Sequence, residues 1–111
     1  MNIKDLIFFY KKVWKQVYGF EPIINYGMVG KLFKPVFENF SPEQIRAMIV
    51  LHFNWRGANG DSDFVYKRLQ ERCFPIEWIP KAVNEYMAFL INARGLTKPE
   101  EFEKFVREFV D

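Results

Sequence analysis

The chain has 111 residues, half of them hydrophobic, and its 16 basic and 14 acidic side chains leave a net charge of +2. A chain of this length builds one hydrophobic core, so we predict a single domain over residues 1–111. The small net charge gives no argument for nucleic acid, the single cysteine allows no internal disulfide, and the apolar runs are far shorter than the roughly 20 residues needed to cross a bilayer.

The first predicted helix runs from Asn2, which suits an N-cap, to Gly19, which suits a C-terminal stop. Its apolar residues recur at helical spacing and predict one buried stripe, made of Ile3, Leu6, Ile7, Tyr10, Val13, Trp14 and Val17. Residues 20–27 contain a proline and a glycine without helical periodicity. We expect them to form a linker that crosses the bundle and is held down by its isoleucines.

The second helix is predicted over residues 28–40, where Pro35 should kink or split it. Its inward residues are predicted to be Val29, Leu32, Phe33, Val36 and Phe37. The third helix should begin after Ser41, because Ser41 and Gln44 have the spacing of a capping box around Pro42. Its predicted buried stripe consists of Ile45, Met48, Ile49, His52 and Phe53.

The second half of the chain is predicted to hold three further helical segments. A glycine-rich loop at 54–63 leads to a fourth helix at 62–73, and the segment between Pro75 and Pro80 suits a short turn. Pro80 should open a fifth helix that ends before Gly95, with inward residues Val83, Tyr86, Met87, Leu90 and Ile91. A capping box from Thr97 to Glu100 should open a sixth, with inward residues Phe102, Phe105, Val106 and Phe109. Without period-two alternation, the pattern predicts an all-α, single compact bundle of five to six short helices.

Few residues here suit catalysis. The single histidine, His52, and the single cysteine, Cys73, both lie on stripes assigned to the core. Residues 59–63 alternate oxygen-bearing side chains as in a calcium loop, but an EF-hand needs glycine and glutamate where this chain has Phe64 and Gln70. No phosphate-binding glycine motif occurs. We therefore predict that the protein is not an enzyme and has no cofactor, no metal and no small-molecule substrate.

The first helix also has a second, cationic stripe. Lys4, Phe8, Lys11 and Lys15 are spaced by four, three and four residues, about 120° from the core stripe, and Lys12 flanks them. A row of ammonium groups around an exposed ring suits a phosphate backbone with a base stacked on the ring, or an acidic helix of a partner protein. The alternative is a solvated lysine face without a partner.

Two later segments could extend this basic surface. Trp55 and Arg56 open the glycine-rich loop, where a ring beside a guanidinium suits stacking on a base or anchoring a protein contact. The alternative is that Trp55 folds back onto the core. The fourth helix adds Lys67 and Arg68. If these residues meet the stripe on the first helix, they form one basic patch that carries aromatic rings.

The two ends of the chain carry opposite charge. Residues 1–19 hold four lysines against one acid, whereas residues 98–111 hold five acids against three bases. This asymmetry allows head-to-tail contact between copies in a homo-oligomer. It equally allows pairing of the first and last helices within one chain.

Three short stretches carry a resemblance to a known group of proteins. Residues 26–33 (YGMVGKLF), 41–44 (SPEQ) and 74–79 (FPIEWI) resemble the layout of small helical phage replication accessory proteins, which include helicase loaders and replisome organisers. The resemblance spans residues 5–93, and Pro35 departs from the unbroken second helix of that layout. It implies an adaptor that acts on a replicative helicase or on DNA, has no chemistry of its own, and works in the cytoplasm of a bacterial or phage-infected cell.

Two functional hypotheses follow. The first is a binding module of phage or mobile-element type that contacts DNA, or a DNA-bound replication protein, through the lysine face of the first helix and the Trp55-Arg56 loop. The second is a pure protein-interaction factor, such as a small inhibitor or adaptor of host machinery, because aromatic residues make up 19% of a nearly neutral chain. The absence of a secretory signal predicts a cytoplasmic protein in either case.

Overall fold

Residues 1–54 and 75–110 are the part of the chain that the computed structural model describes. Five α-helices occur in this part: α1 (Ile3–Tyr18), α2 (Tyr26–Asn39), α3 (Pro42–Phe53), α4 (Val83–Ala88) and α5 (Pro99–Arg107). A 3-10 turn lies at Ile76–Trp78, and a π-helical turn, Phe89–Ala93, extends α4. No strand occurs in the described ranges, and the predicted all-α fold is confirmed. The predicted fourth helix lies outside the described residues.

Helix α1 begins and ends where its sequence predicts. The Asn2 side-chain oxygen accepts a hydrogen bond of 2.9 Å from the Asp5 backbone N–H, which otherwise has no partner in the first turn. At the other end Gly19 adopts the left-handed conformation, with φ of 84°, and its N–H donates to the carbonyl of Lys15. These two caps fix the length of the helix and hence the spacing of everything on its outer face.

Helix α2 begins two residues earlier than predicted and is not split. The Asn25 side chain accepts from the Met28 N–H at 3.0 Å, so the helix starts at Tyr26, inside the segment predicted to be a linker. The helix continues through Pro35, so the split that was one of the two predicted outcomes is wrong. Asn39 donates from its side chain to the carbonyl of Pro35, a local bond on the turn that follows the proline.

Helix α3 is the centre of the core, and the predicted single stripe is too narrow for it. The capping box that opens it is confirmed: Ser41 accepts from the Gln44 N–H, and the Gln44 side chain accepts from the Ser41 N–H. Every residue from Ala47 to Phe53 is buried, because α1, α2, α4 and α5 all pack against this helix. A helix surrounded by its neighbours buries most of its faces.

The last two helices begin later than the sequence predicts. Pro80 lies in a turn, and α4 starts only at Val83, three residues further on. Before α5, Glu101 rather than Glu100 is the acid that caps the start: its carboxylate accepts from the Thr97 hydroxyl at 3.0 Å and from the Lys98 N–H at 3.1 Å. The predicted capping box is therefore shifted by one residue.

Most predicted inward residues are buried, but three of them are exposed. Val17 is 51% exposed, Ile91 is 44% exposed and Leu32 is 37% exposed, although all three lie on predicted apolar stripes. Ile23, which was expected to hold the linker down, is fully exposed, whereas Ile24 packs against the core. A stripe is buried only where another element packs closely on it, so helical spacing alone does not decide burial. None of the described helices is long and apolar enough to span a bilayer.

Candidate binding groove on the first helix

The two faces of α1 have different surroundings. Leu6, Ile7, Tyr10 and Val13 face the core and are buried. On the opposite side Phe8 is 75% exposed, the second most exposed of the large hydrophobic side chains in the described residues, after Ile23. On the helical surface the neighbours of Phe8 at i−4, i+3 and i+4 are Lys4, Lys11 and Lys12, and the neighbour at i−3 is Asp5. Lys15 lies on the same side of the helix, two turns after Phe8. The ring is therefore set among ammonium groups rather than among apolar side chains.

A groove of about 570 Å³ follows this face of α1. We call it the lysine groove, and its lining consists of Lys4, Phe8, Lys11, Lys12, Lys15, Glu21 and Tyr26. The five residues of α1 are those that the sequence singles out as one stripe, and the structure brings them together. Glu21 comes from the connection between α1 and α2, and Tyr26 is the first residue of α2.

Tyr26 joins the groove through a contact with Lys11. The Lys11 ammonium lies 5.6 Å from the centre of the Tyr26 ring, a distance at which the ring attracts a cation. Tyr26 is still 49% exposed, so the groove contains two rings that solvent reaches. The contact holds the first residue of α2 against the middle of α1, which fixes one wall of the groove.

The groove is strongly cationic on a chain of modest net charge. Four lysines face a single acid, Glu21, whereas the whole chain carries only +2. Lys4, Lys11 and Lys15 form no ion pair within 1–54 and 75–110, where the ion pair that is found joins Arg46 and Glu103 at 3.9 Å. Unpaired lysines on one face repel one another, and an anion laid along them relieves that repulsion.

The remaining predicted site residues, Trp55, Arg56, Lys67 and Arg68, lie outside the described residues. The sequence-based interpretation missed Tyr26 and Glu21, because it placed both in a linker. Asn25, an asparagine that suits an N-cap, was the signal that helix α2 begins at Tyr26, whereas no local signal places that residue beside α1.

His52 is buried, and its contacts are those of a structural residue of the core. His52 Nε2 lies 3.1 Å from the Pro75 carbonyl, which only accepts, so this nitrogen carries the proton. Nδ1 then accepts from the Tyr86 hydroxyl at 2.7 Å. Burial, and then the charge of Glu85, raise the pKa of Tyr86 well above its usual value. Both ring nitrogens of the fully buried His52 are engaged, which agrees with the predicted core position.

A second feature lies beside the groove, where α1 ends. Trp14 presents a buried indole Nε1 that has no hydrogen-bond partner in the part of the chain the structure describes. Its ring lines a cavity of about 200 Å³ together with the exposed Ile23 and Met28. Exposed Phe20 contacts the same ring, with ring centres 5.9 Å apart. We call Val17, Phe20, Ile23 and Met28 the junction surface.

Comparison with known protein families, with curated proteins and with solved structures found no match for this chain. The described residues contain no group of three or more histidine, cysteine or acidic side chains placed to hold a metal ion. The functional interpretation therefore rests on the geometry and the charge of the lysine groove itself.

Proposed function

We propose that this protein is a non-enzymatic accessory protein that contacts DNA, or a replication protein bound to DNA, through the lysine groove. The observation that supports this is the 75% exposed Phe8 among Lys4, Lys11, Lys12 and Lys15 in one open groove. The resemblance to phage replication accessory proteins suggests a helicase-loader-like adaptor of a phage or mobile element. Such an adaptor acts in the cytoplasm of a bacterial or phage-infected cell.

Physical chemistry favours nucleic acid over an apolar protein surface at this groove. Protein interfaces are depleted of lysine at their centres, because burying an ammonium group without a partner is costly. Lysines that contact phosphates keep their charge compensated, and they release the counterions of the nucleic acid, which drives binding. An exposed ring among lysines thus suits a ligand with regular anions and flat bases.

Salt dependence tests this proposal. We expect a labelled oligonucleotide to bind at about 50 mM salt and to lose roughly 20-fold or more in affinity at about 200 mM, if three or four lysines contact phosphates. In the double variant Lys4→Gln/Lys15→Gln, the slope of log affinity against log salt should fall by about 0.7 to 0.9 for each lysine removed. Fluorescence anisotropy measures both.

A matched control keeps the charge change but moves it away from the groove. Lys34 and Lys104 are exposed helical lysines that do not line it. The variant Lys34→Gln/Lys104→Gln loses the same net charge and should keep most of the affinity and the slope. Equal losses in both variants would mean that binding follows overall charge, and the lysine groove would then have no special role.

The junction surface supports a second candidate function, a protein-interaction factor without nucleic-acid contact. Ile23 is fully exposed, and Phe20 and Val17 are each more than half exposed, although all three are strongly apolar. Exposed apolar groups close together on a small domain are typical of protein contact sites. A small inhibitor or adaptor of host machinery would use such a surface.

The two candidates are separated by capture from host lysate after nuclease treatment. If the junction surface binds a protein, a reproducible partner is retained by the wild type and by Lys4→Gln/Lys15→Gln. The same partner is lost with Ile23→Asp. If the lysine groove carries the function through nucleic acid, the captured proteins disappear on nuclease treatment whatever residue stands at position 23.

A further inference from the structure

We infer that the lysine groove takes a single strand of nucleic acid, with a base stacked on Phe8, rather than a duplex. This inference rests on the proposed function and names its ligand class. It starts from the combination of one widely exposed ring and a line of lysines on the same helix face. In a single strand, a base can stack on the ring while the phosphate backbone contacts the lysines.

The exposed ring of Phe8 favours a single strand over a duplex. In a duplex the faces of the bases are covered by their neighbours, so an exposed phenyl ring reaches only edges, phosphates and sugars unless it wedges between base pairs. In a single strand any base can turn its face toward a ring, and this stacking tolerates every sequence. The 75% exposure of Phe8 supplies such a stacking surface, and duplex binding through lysines alone leaves it unused.

The length of the groove suits a short run of nucleotides. Lys4 and Lys15 are eleven residues apart on α1, a rise of about 16 Å, which matches about five nucleotides of a stacked strand. Phe8 lies one turn from Lys4 and about two turns from Lys15, so phosphates on both sides of a stacked base meet an ammonium group. Lys11 holds Tyr26 at 5.6 Å, which keeps the second ring at the wall of the groove.

The position of Glu21 fits the same arrangement. It is the one acid in the lining of the groove and comes from the connection rather than from α1, so the line of lysines on the helix is not interrupted. A backbone that follows α1 passes the lysines of the helix, and Glu21 belongs to the segment that follows α1. A carboxylate there repels phosphates that stray from the helix and accepts from the amino groups of bases.

The test compares a non-self-complementary 12-nucleotide strand with the blunt duplex of the same sequence, by anisotropy at low salt. We expect the single strand to bind roughly tenfold more tightly or better. Phe8→Ala should weaken single-strand binding by about 5- to 100-fold and change duplex binding little. Phe8→Trp should restore single-strand affinity, because indole stacks at least as well, and Phe8→Leu should not.

Phe20→Leu is the matched control, since it removes an exposed ring that does not line the lysine groove. It should leave both affinities unchanged. Circular dichroism melts of each variant check that the fold is intact. A mononucleotide serves as a further arm: we expect it to bind far more weakly than the 12-nucleotide strand, and equal affinity would show that no backbone follows the lysines and would overturn the inference.

Equal or tighter binding of the duplex, with no effect of Phe8→Ala, would also overturn the inference, while the salt-dependent contact with DNA would stand. If Phe8→Ala loses affinity but Phe8→Leu binds as tightly as Phe8→Trp, the contact is apolar and not stacking. That result would equally overturn the inference. Absence of binding by every oligonucleotide at low salt would refute the proposed contact with DNA itself, and the inference with it.

Discussion

In the lysine groove and in the His52–Tyr86 pair, a nitrogen-bearing side chain lies beside an aromatic ring. The groove is open to solvent, whereas the pair is buried in the core. In the core, His52 and Tyr86 are fully buried, and each partner satisfies the other at 2.7 Å. In the groove, Phe8 and the lysines face solvent, and packing of the core gives no reason for a phenyl ring to be there. Core packing therefore explains why His52 is present, although histidine is a common catalytic residue, whereas it does not explain the exposed Phe8.

The largest loss of stability is expected from removing His52, which breaks the His52–Tyr86 pair. His52→Ala leaves the Pro75 carbonyl and the Tyr86 hydroxyl without this partner and opens a void in the core. We expect the free energy of unfolding to fall by about 2–4 kcal/mol, from the lost hydrogen bonds and the cavity. Phe8→Ala is the counterpart in the groove, and urea unfolding should show a change of about 0.5 kcal/mol or less. Similar losses in the two variants would contradict the contrast drawn between them.

Alkaline pH should destabilise the core through Tyr86. Burial raises the pKa of the Tyr86 hydroxyl above its value in the unfolded chain, which is about 10. Above that pH the unfolded chain releases a proton that the folded chain keeps, so stability falls as pH rises, by about 1.4 kcal/mol per pH unit for this group. Tyr86→Phe loses a hydrogen bond and is less stable at pH 7. The stability difference between wild type and Tyr86→Phe should therefore shrink between about pH 10 and pH 11. A constant difference would show that Tyr86 ionises as freely in the folded chain as in the unfolded chain.

A smaller effect comes from the cap of the helix that carries the lysine groove. Asn2→Ala removes the acceptor of the Asp5 N–H and should cost about 1 kcal/mol, measured by thermal or urea unfolding. The first turn that carries Lys4 then frays more readily. Oligonucleotide affinity should fall modestly, through the position of Lys4 rather than through charge. A loss of affinity as large as that of Lys4→Gln/Lys15→Gln would mean that the integrity of the helix, and not its lysines, controls binding.

The smallest effect is expected at the start of α5. Hydrogen bonds from the Thr97 hydroxyl and the Lys98 N–H hold the pKa of Glu101 below its usual value. The Glu101 carboxylate stabilises the fold above the pKa that it has in the unfolded chain. This stabilisation is lost as the pH falls through its lower pKa in the folded chain. Glu101→Gln should therefore lower the melting temperature slightly at pH 7, and the difference from wild type should diminish at about pH 3. A difference that is the same at both pH values would argue against the capping role.

The sequence predicts those features that a few neighbouring residues decide. Asn2, Gly19 and the Ser41–Gln44 pair form caps from local hydrogen bonds, and all are found as predicted. The outer stripe of α1 also follows from helical spacing alone. Because each of these depends on contacts within about five residues, no knowledge of the tertiary fold is needed.

Other features depend on contacts between distant segments and could not be predicted in the same way. Val17 lies on the apolar stripe of α1, yet its side chain is 51% exposed. Tyr26 belongs to the lysine groove only because the connection returns α2 to α1, where Lys11 contacts its ring. The one-residue shift from Glu100 to Glu101 reflects a helix that starts at Pro99, a choice between adjacent registers that residue preferences leave nearly balanced.

An NMR titration of the ¹⁵N-labelled protein with the 12-nucleotide strand shows whether the outward face of α1 binds nucleic acid. The amide shifts should be concentrated on residues 4–15 and on Tyr26 and should saturate together, whereas the amides of the junction surface and of α5 stay in place. Shifts concentrated at Phe20, Ile23 and Met28, or spread evenly over the exposed lysines of the chain, would contradict the account.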